Sequence, residues 1–149
     1  MHTLARVLHN PFLISAVAAW LTAQLIKTIL YLLYFREFNF ERMWGSGGMP
    51  SAHSATVCAL AAAAGLRYGF DAYPFAIAAV LALVVMYDAC GVRRAAGQHA
   101  KILNELEEII FSKELSPEDR LKELIGHTPL QVLAGALLGI VVAVALFFM

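Results

Sequence analysis

Four apolar stretches separated by polar segments dominate the 149-residue chain: 12–35, 52–66, 72–90 and 130–149. A helix needs about 20 residues to cross the hydrocarbon core of a bilayer. The first, third and fourth stretches meet that length, whereas the second is shorter. The second can still cross if Ser51 begins its helix, Arg67 extends to the surface and the first turn is recessed. A recessed polar helix start is tolerated only beside protein or water, so this stretch is the first indication of a site.

The longest polar region, residues 93–128, predicts helices that lie along the membrane surface. Leucine and isoleucine recur at helical spacing among glutamates in residues 103–110, which is the pattern of an amphipathic interfacial helix. Ser116 and the proline after it predict the start of a second, short helix that ends at Gly126. The sequence therefore predicts an all-α integral membrane bundle of about four spans with one or two interfacial helices. We expect residues 1–149 to form a single domain.

Composition agrees with a membrane protein. Apolar residues make up 60% of the chain and charged residues 15%, against about half and a quarter in soluble domains. The formal net charge is zero, so there is no electrostatic argument for nucleic acid as a partner. Cys58 and Cys90 lie within or at the end of apolar stretches, where reduced and buried thiols are expected.

The distribution of lysine and arginine predicts the orientation. With four spans, the Arg36–Arg42 and Arg93–Lys122 loops share one side and hold eight of these residues, whereas the other side holds Arg6 and Arg67. The positive-inside rule places the two loops in the cytoplasm and both termini outside. The expected location is a bacterial plasma membrane.

The segment GSGGMPSAHSAT, residues 45–56, opens the second apolar stretch, and the other unusual polar residues are predicted at the same end of the bundle. Backbone N–H groups at a helix start attract anions, and glycines let the backbone approach them closely. His53 can donate a proton to a leaving alkoxide. Lysine and paired arginines supply charge and forked donors for phosphate oxygens. We therefore predict a phosphate site formed by Lys27, Ser51, His53, Asp88, Arg93 and Arg94.

Several of these residues also have a structural interpretation. Lys27 could extend to the surface, and Ser51 could only cap its helix. Asp88 lies near a helix C-terminus, where a negative charge is unfavourable, so it needs an arginine or a divalent metal as partner. Gly135 and Gly139 form a GxxxG face that serves packing inside the bundle or in a homodimer.

Three blocks carry a family resemblance: GGMPSAHSA, MYDACGVRRAAGQHAKILN and ELIGHTP. Together they resemble the divergent branch of the type-2 phosphatidic-acid phosphatase and vanadium haloperoxidase superfamily, from about Gln24 to Gly139. In that superfamily a lysine and a following arginine bind phosphate, which implies this role for Lys27 and, with altered spacing, Arg36. The Pro-Ser-x-His block implies that His53 is the general acid.

The third superfamily motif implies a nucleophile. Arg93 and His99 keep its five-residue gap, so the resemblance assigns His99 to attack phosphorus. Leu103 stands where the motif has the aspartate that orients this histidine. Asp88, His127 or Asn104 could replace that carboxylate through space.

The sequence therefore predicts a phosphatase that acts on a membrane lipid phosphate, or on an isoprenyl phosphate or diphosphate, at the cytoplasmic face. The scheme requires no cofactor, and the alternative is a divalent metal near Asp88. Loss of the aspartate favours the second hypothesis, a non-catalytic membrane protein that binds lipid phosphate headgroups.

Overall fold

A computed structural model describes residues 2–36, 48–111, 115–116, 119–123 and 126–149. The described residues contain helices and no strand. The helices are α1 (His2–Leu8), α2 (Pro11–Phe35), α3 (Ala52–Tyr68), α4 (Tyr73–Cys90), α5 (Val92–Phe111) and α6 (Pro129–Phe147). The all-α membrane bundle predicted from the sequence is confirmed.

Polar caps and prolines set where the long helices begin. The Asn10 side chain accepts from the backbone N–H of Phe12 at 3.0 Å, and Pro11 occupies the first turn of α2. Thr128 and Gln131 form a reciprocal capping box at the start of α6. These interactions satisfy N–H groups that have no partner within the helix.

Helix α3 lies at the centre of the bundle and packs against α2, α4 and α6. Its alanines form the core with alanines of α2 and α6, namely Ala52, Ala55, Ala59 and Ala63 with Ala19, Ala23 and Ala143. The Phe12 and Tyr68 rings stack at 5.4 Å, so the start of α2 lies beside the end of α3 and the two helices are antiparallel. Small side chains permit this close approach of helices in a bilayer.

The GxxxG face of α6 packs inside the bundle. A methyl group built on Gly135 would overlap the carbonyl oxygen of Ser51, and one on Gly139 would overlap that of Ala55. Because Ser51 and Ala55 match Gly135 and Gly139 in order, α3 and α6 run parallel. The face that could have served a homodimer is therefore occupied by α3 of the same chain.

Within the described residues, three stretches are long and apolar enough to cross a membrane: Pro11–Phe35, the segment Tyr73–Phe111 that contains α4 and α5, and Pro129–Phe147. Helix α3 has 17 residues and falls short of that length. Its N-cap Ser51 lies level with Gly135, six residues after the first residue of α6, so α3 starts about 9 Å further along the bundle than α6 does.

One of the two predicted interfacial helices is present. Helix α5 exposes Leu103, Leu106, Ile109 and Ile110, which form its apolar face. The prediction of a second helix from Ser116 to Gly126 is wrong for the residues that the structure describes, because residues 119–123 are not helical. Buried Asn104 accepts from the Leu121 N–H and donates to the Leu121 carbonyl, both at 3.0 Å, and these bonds hold this segment on α5 in an irregular conformation.

Candidate functional site

Four charged or titratable side chains converge where α3 begins. His53, in the first turn of α3, is exposed and interacts electrostatically with Arg93, Lys27 and Asp88. Lys27 comes from α2, Asp88 from the end of α4 and Arg93 from the start of α5. The convergence predicted from the sequence is therefore present for these four residues.

Lys27 is buried, with 8% of its surface exposed, and Gly48 forms part of its surroundings. Gly48 has a φ of +78°, and a methyl group built on it would lie 3.2 Å from Cγ of Lys27. A side chain at this position would therefore be strained and would press on the lysine stem. Glycine here lets the loop before α3 lie directly against Lys27.

Asp88 is the partner of Arg93. Arg93 Nε donates to Asp88 Oδ2 at 2.6 Å, and both side chains are partly exposed. This bond fixes the guanidinium plane while the terminal nitrogens of Arg93 remain as donors for an anion. Of the two partners predicted for Asp88, the structure shows the arginine.

Ser51 caps α3 from a fully buried position. Its hydroxyl accepts from the Ser54 hydroxyl at 3.0 Å and from the Ser54 N–H at 3.4 Å, and its own N–H donates to the Gln131 carbonyl at 3.0 Å. None of its surface is exposed. The structure thus gives Ser51 the capping role, and an anion could not reach it unless the loop moved.

His127 is a second histidine at this end of the bundle. It is 4% exposed, its backbone N–H donates to the Ala89 carbonyl at 3.0 Å, and Lys27, His53 and Arg93 act on it electrostatically. The sequence placed His127, just before the fourth apolar stretch, at this end of the bundle and named it among the residues that could replace the missing carboxylate. The structure brings it into the same cluster as His53.

The contacts of Gln131 determine which His127 nitrogen carries the proton. Gln131 Oε1 accepts from the Thr128 N–H at 3.0 Å, so the atom that lies 3.3 Å from His127 Nδ1 is an acceptor. His127 Nδ1 must then be the donor, which leaves the lone pair of neutral histidine on Nε2. Gln131 therefore fixes both the tautomer and the orientation of the ring.

Burial lowers the pKa of His127 below its ordinary value, and the positive charges of Lys27, His53 and Arg93 act in the same direction. The hydrogen bond to Gln131 opposes this shift. The net effect favours the neutral imidazole at pH 7, which is the form that can attack phosphorus.

A cavity of about 530 Å³ lies beside His127, between α5, Glu123, residues 126–128 and the start of α6. Its lining includes Arg94, Gln98, Lys101, Glu123, His127 and Gln131. Gly126 closes one wall, and a methyl group on it would overlap the backbone of Arg94. The two arginines that were predicted to act together therefore lie in different places. Arg93 belongs to the His53 cluster, whereas Arg94 lines the cavity.

Three predicted residues lie apart from this site. His99 is exposed on α5 and is absent from the cavity wall. Asn104 is 2% exposed, and its amide nitrogen donates to the Leu121 carbonyl and to Glu123 Oε1. Arg36 is the exposed C-cap of α2, about 13 Å along the helix from Lys27. The structure does not bring these residues into the cluster.

Sequence reasoning missed Gln131, Gln98 and Lys101. A partial signal was available, because Arg94, Gln98 and Lys101 have the spacing of one helix face. Gln131 could be recognised only as a capping-box residue from the T-P-L-Q pattern. Among the described residues, no group of three or more His, Cys, Asp or Glu side chains could hold a metal ion.

Comparisons with known proteins identify the family. The model of the family described as "Divergent PAP2 family" matches residues 8–142. The uncharacterized membrane protein YuiD of Bacillus subtilis (strain 168) is 39% identical over 156 aligned positions, which cover 96% of this chain and 99% of that protein. No solved structure matches the chain. This chain is an integral membrane protein that belongs to the Divergent PAP2 family.

Proposed function

We propose that this protein hydrolyses a lipid phosphate monoester or diphosphate at the cytoplasmic surface of the membrane. The observation that carries the proposal is His127, buried and oriented with its lone pair on Nε2, in the same cluster as Lys27, His53 and Arg93. Membership of the Divergent PAP2 family supports phosphatase-related chemistry. The excess of lysine and arginine in the loops supports the cytoplasmic orientation.

The proposed reaction has two steps. His127 Nε2 attacks phosphorus, the bond from phosphorus to the lipid oxygen breaks, and His53 gives its proton to the leaving oxygen. Water then attacks the phosphohistidine and gives a proton back to His53. The bond from nitrogen to phosphorus breaks, and inorganic phosphate leaves. His127 replaces His99 as the nucleophile in this scheme.

The cations around His127 would stabilise the charge on the transferred phosphoryl group. Lys27 supplies a buried positive charge, Arg93 is held in place by Asp88, and Arg94 lies in the cavity wall next to Gly126. Fixed cations contribute most where little water competes, because the local dielectric constant is low. No step in this scheme passes through a metal ion.

A phosphate-release assay in detergent tests the proposal. The purified protein is incubated with phosphatidic acid, phosphatidylglycerophosphate and isoprenyl phosphates, and we expect the wild type to release phosphate from at least one of them. We expect His53→Ala to lower that rate by about 10²–10⁴-fold, the usual contribution of a general acid. Lipid binding without phosphate release from any substrate would instead support the non-catalytic headgroup-binding protein.

The pH dependence of the rate gives a second test. Since the scheme needs His127 neutral and His53 protonated, kcat/KM should be bell-shaped with pH, and the acid limb, which reports His127, should lie below about 6.5, the ordinary histidine value, because the pKa of His127 is lowered. We expect Gln131→Glu to move this acid limb to higher pH, because a carboxylate beside Nδ1 favours the imidazolium. Glutamate also keeps the acceptor for the Thr128 N–H. An acid limb that does not move in Gln131→Glu would contradict the assignment of His127.

A further inference from the structure

Helices α2 and α4 leave one face of α3 uncovered. Among the described residues, α2, α4 and α6 all pack against α3, and α6 also contacts α2 and α4, but α2 and α4 do not contact each other. The backbone of Ser51 and Ala55 lies against α6. His53 is two residues from each of them, which turns the helix by about 200°, so its side chain points away from α6. The uncovered face of α3, between α2 and α4, therefore includes His53.

Apolar residues continue this face along α3 and form the floor of a groove between α2 and α4. Val57, Leu60 and Ala64 follow His53 by four, seven and eleven residues, a spacing that places all of them on one side of the helix. Val57 and Leu60 are half-buried. A groove with this lining, inside a membrane bundle, suits a hydrocarbon chain.

Phe12 closes the groove at the end away from His53. Its ring stacks on Tyr68 at 5.4 Å and packs against the buried cluster that contains Ala64 of α3 and Ala78 of α4. From His53 to Ala64 the groove runs about 16 Å along α3. This length is about half of the ~30 Å hydrocarbon core, which is the depth that a lipid chain occupies in one leaflet.

The other end of the groove opens at the charged cluster. His53 is exposed there, and Lys27 and Asp88 act on it electrostatically. Lys27 comes from α2 and Asp88 from α4, the two helices that flank the groove. A lipid whose chain lies between α2 and α4 would therefore place its phosphate beside His53.

We propose that this groove binds one hydrocarbon chain of the substrate and is the route by which the lipid enters the site sideways from the bilayer. The inference rests on the proposed function, in which His53 protonates the oxygen that links the phosphoryl group to the lipid. That oxygen must lie at His53, and the chain attached to it continues along the uncovered face that starts there. Val57 and Leu60 contact the chain.

The dependence of the rate on chain length tests the groove. Dihexanoyl and dipalmitoyl phosphatidic acid are compared at equal mole fractions in mixed detergent micelles. We expect Leu60→Trp to lower kcat/KM for the dipalmitoyl lipid by about tenfold, the scale on which a small change in pocket shape affects discrimination. The dihexanoyl lipid should be affected much less, because its chains are too short to pass Leu60.

Photolabelling tests occupancy of the groove without any need for catalysis. Phosphatidic acid with a diazirine in the middle of a palmitoyl chain is irradiated with the purified wild-type protein in a lipid nanodisc. We expect label on Val57 or Leu60, and loss of that label in Leu60→Trp. Phosphatidylcholine with the same diazirine chain is the control lipid, since it lacks a phosphate monoester. Equal labelling by the control lipid would mean that the groove holds only bulk bilayer lipid and would overturn the proposal.

Leu66→Trp is the matched control variant. It makes the same substitution at another half-buried leucine of α3, one that lines a separate apolar cavity of about 420 Å³ between α3, α4 and α6. Equal effects of Leu60→Trp and Leu66→Trp on the dipalmitoyl lipid, or an equal loss of rate with both chain lengths, would overturn the groove. Light scattering adds a further check, since a wild-type dimer that Leu60→Trp dissociates would assign the groove to a second copy of the chain instead.

The same experiments separate failure of the groove from failure of the proposed function. Selective labelling of the groove by phosphatidic acid, without phosphate release from any lipid, would leave the groove standing and refute the phosphatase. Lipid hydrolysis with an unchanged dependence on chain length in Leu60→Trp, and no label in the groove, would refute the groove and leave the phosphatase standing.

Discussion

Replacement of His127 by asparagine should abolish phosphate release, with a fall in kcat of about 10⁴-fold or more, the scale seen when a nucleophile is removed. Asparagine keeps a polar side chain that can still bond to Gln131, but it has no lone pair that can attack phosphorus. The Lys27 and Arg93 cations would remain, so substrate should still bind. Steady-state release of phosphate, together with lipid binding to the variant, measures both parts of this expectation.

His99→Asn is the matched control for this experiment, because it makes the same substitution on an exposed surface of α5. It should hydrolyse lipid at close to the wild-type rate. A rapid base quench with labelled substrate should trap phosphohistidine, whose bond from nitrogen to phosphorus is stable in base, in the wild type and not in His127→Asn. The opposite result, an active His127→Asn protein and an inactive His99→Asn protein, would return the nucleophile to the position that the superfamily motif implies.

The positions of His99 and His127 show that motif spacing along the sequence does not by itself predict which histidine lies near His53. His99 follows Arg93 by six residues, as in the superfamily motif, but six residues turn an α-helix through roughly 240° beyond one full turn. With Arg94, Gln98 and Lys101 on the cavity face, His99 lies on another side of α5. His127 is 28 residues further on, and only the fold brings it to His53. The order of the apolar stretches predicts that both histidines lie at one end of the bundle, but no local pattern predicts how close they come.

The helices themselves were predictable because membrane insertion depends on local sequence. Long apolar stretches, the Thr128-Pro129 start of α6 and the Ser51 cap of α3 each act within a few residues. The helix predicted after Ser116 is not formed in residues 119–123. The reason is non-local, because the Asn104 side chain, 17 residues away, forms hydrogen bonds with the backbone of Leu121. Local capping signals predict a helix only where no tertiary contact competes with it.

The second large effect is expected at Gly139, where α6 touches the backbone of α3. Gly139→Leu should lower the free energy of unfolding by about 3 kcal/mol or more, the upper end for overpacked cores, because the Ala55 carbonyl occupies the space that a side chain would need. If the variant still folds, α3 must move away from α6. That movement would shift His53 relative to His127, so phosphate release should fall as well.

Ala145→Leu on the same helix is the control, since Ala145 is exposed and a larger apolar side chain there should meet lipid. Detergent-induced unfolding, followed by circular dichroism, compares the two variants with the wild type. Equal stability of Gly139→Leu and wild type would mean that α3 and α6 do not pack through their backbones as described. The recessed start of α3 would then lose its support, because Gly135 and Gly139 are the positions that let Ser51 lie about 9 Å below the first residue of α6.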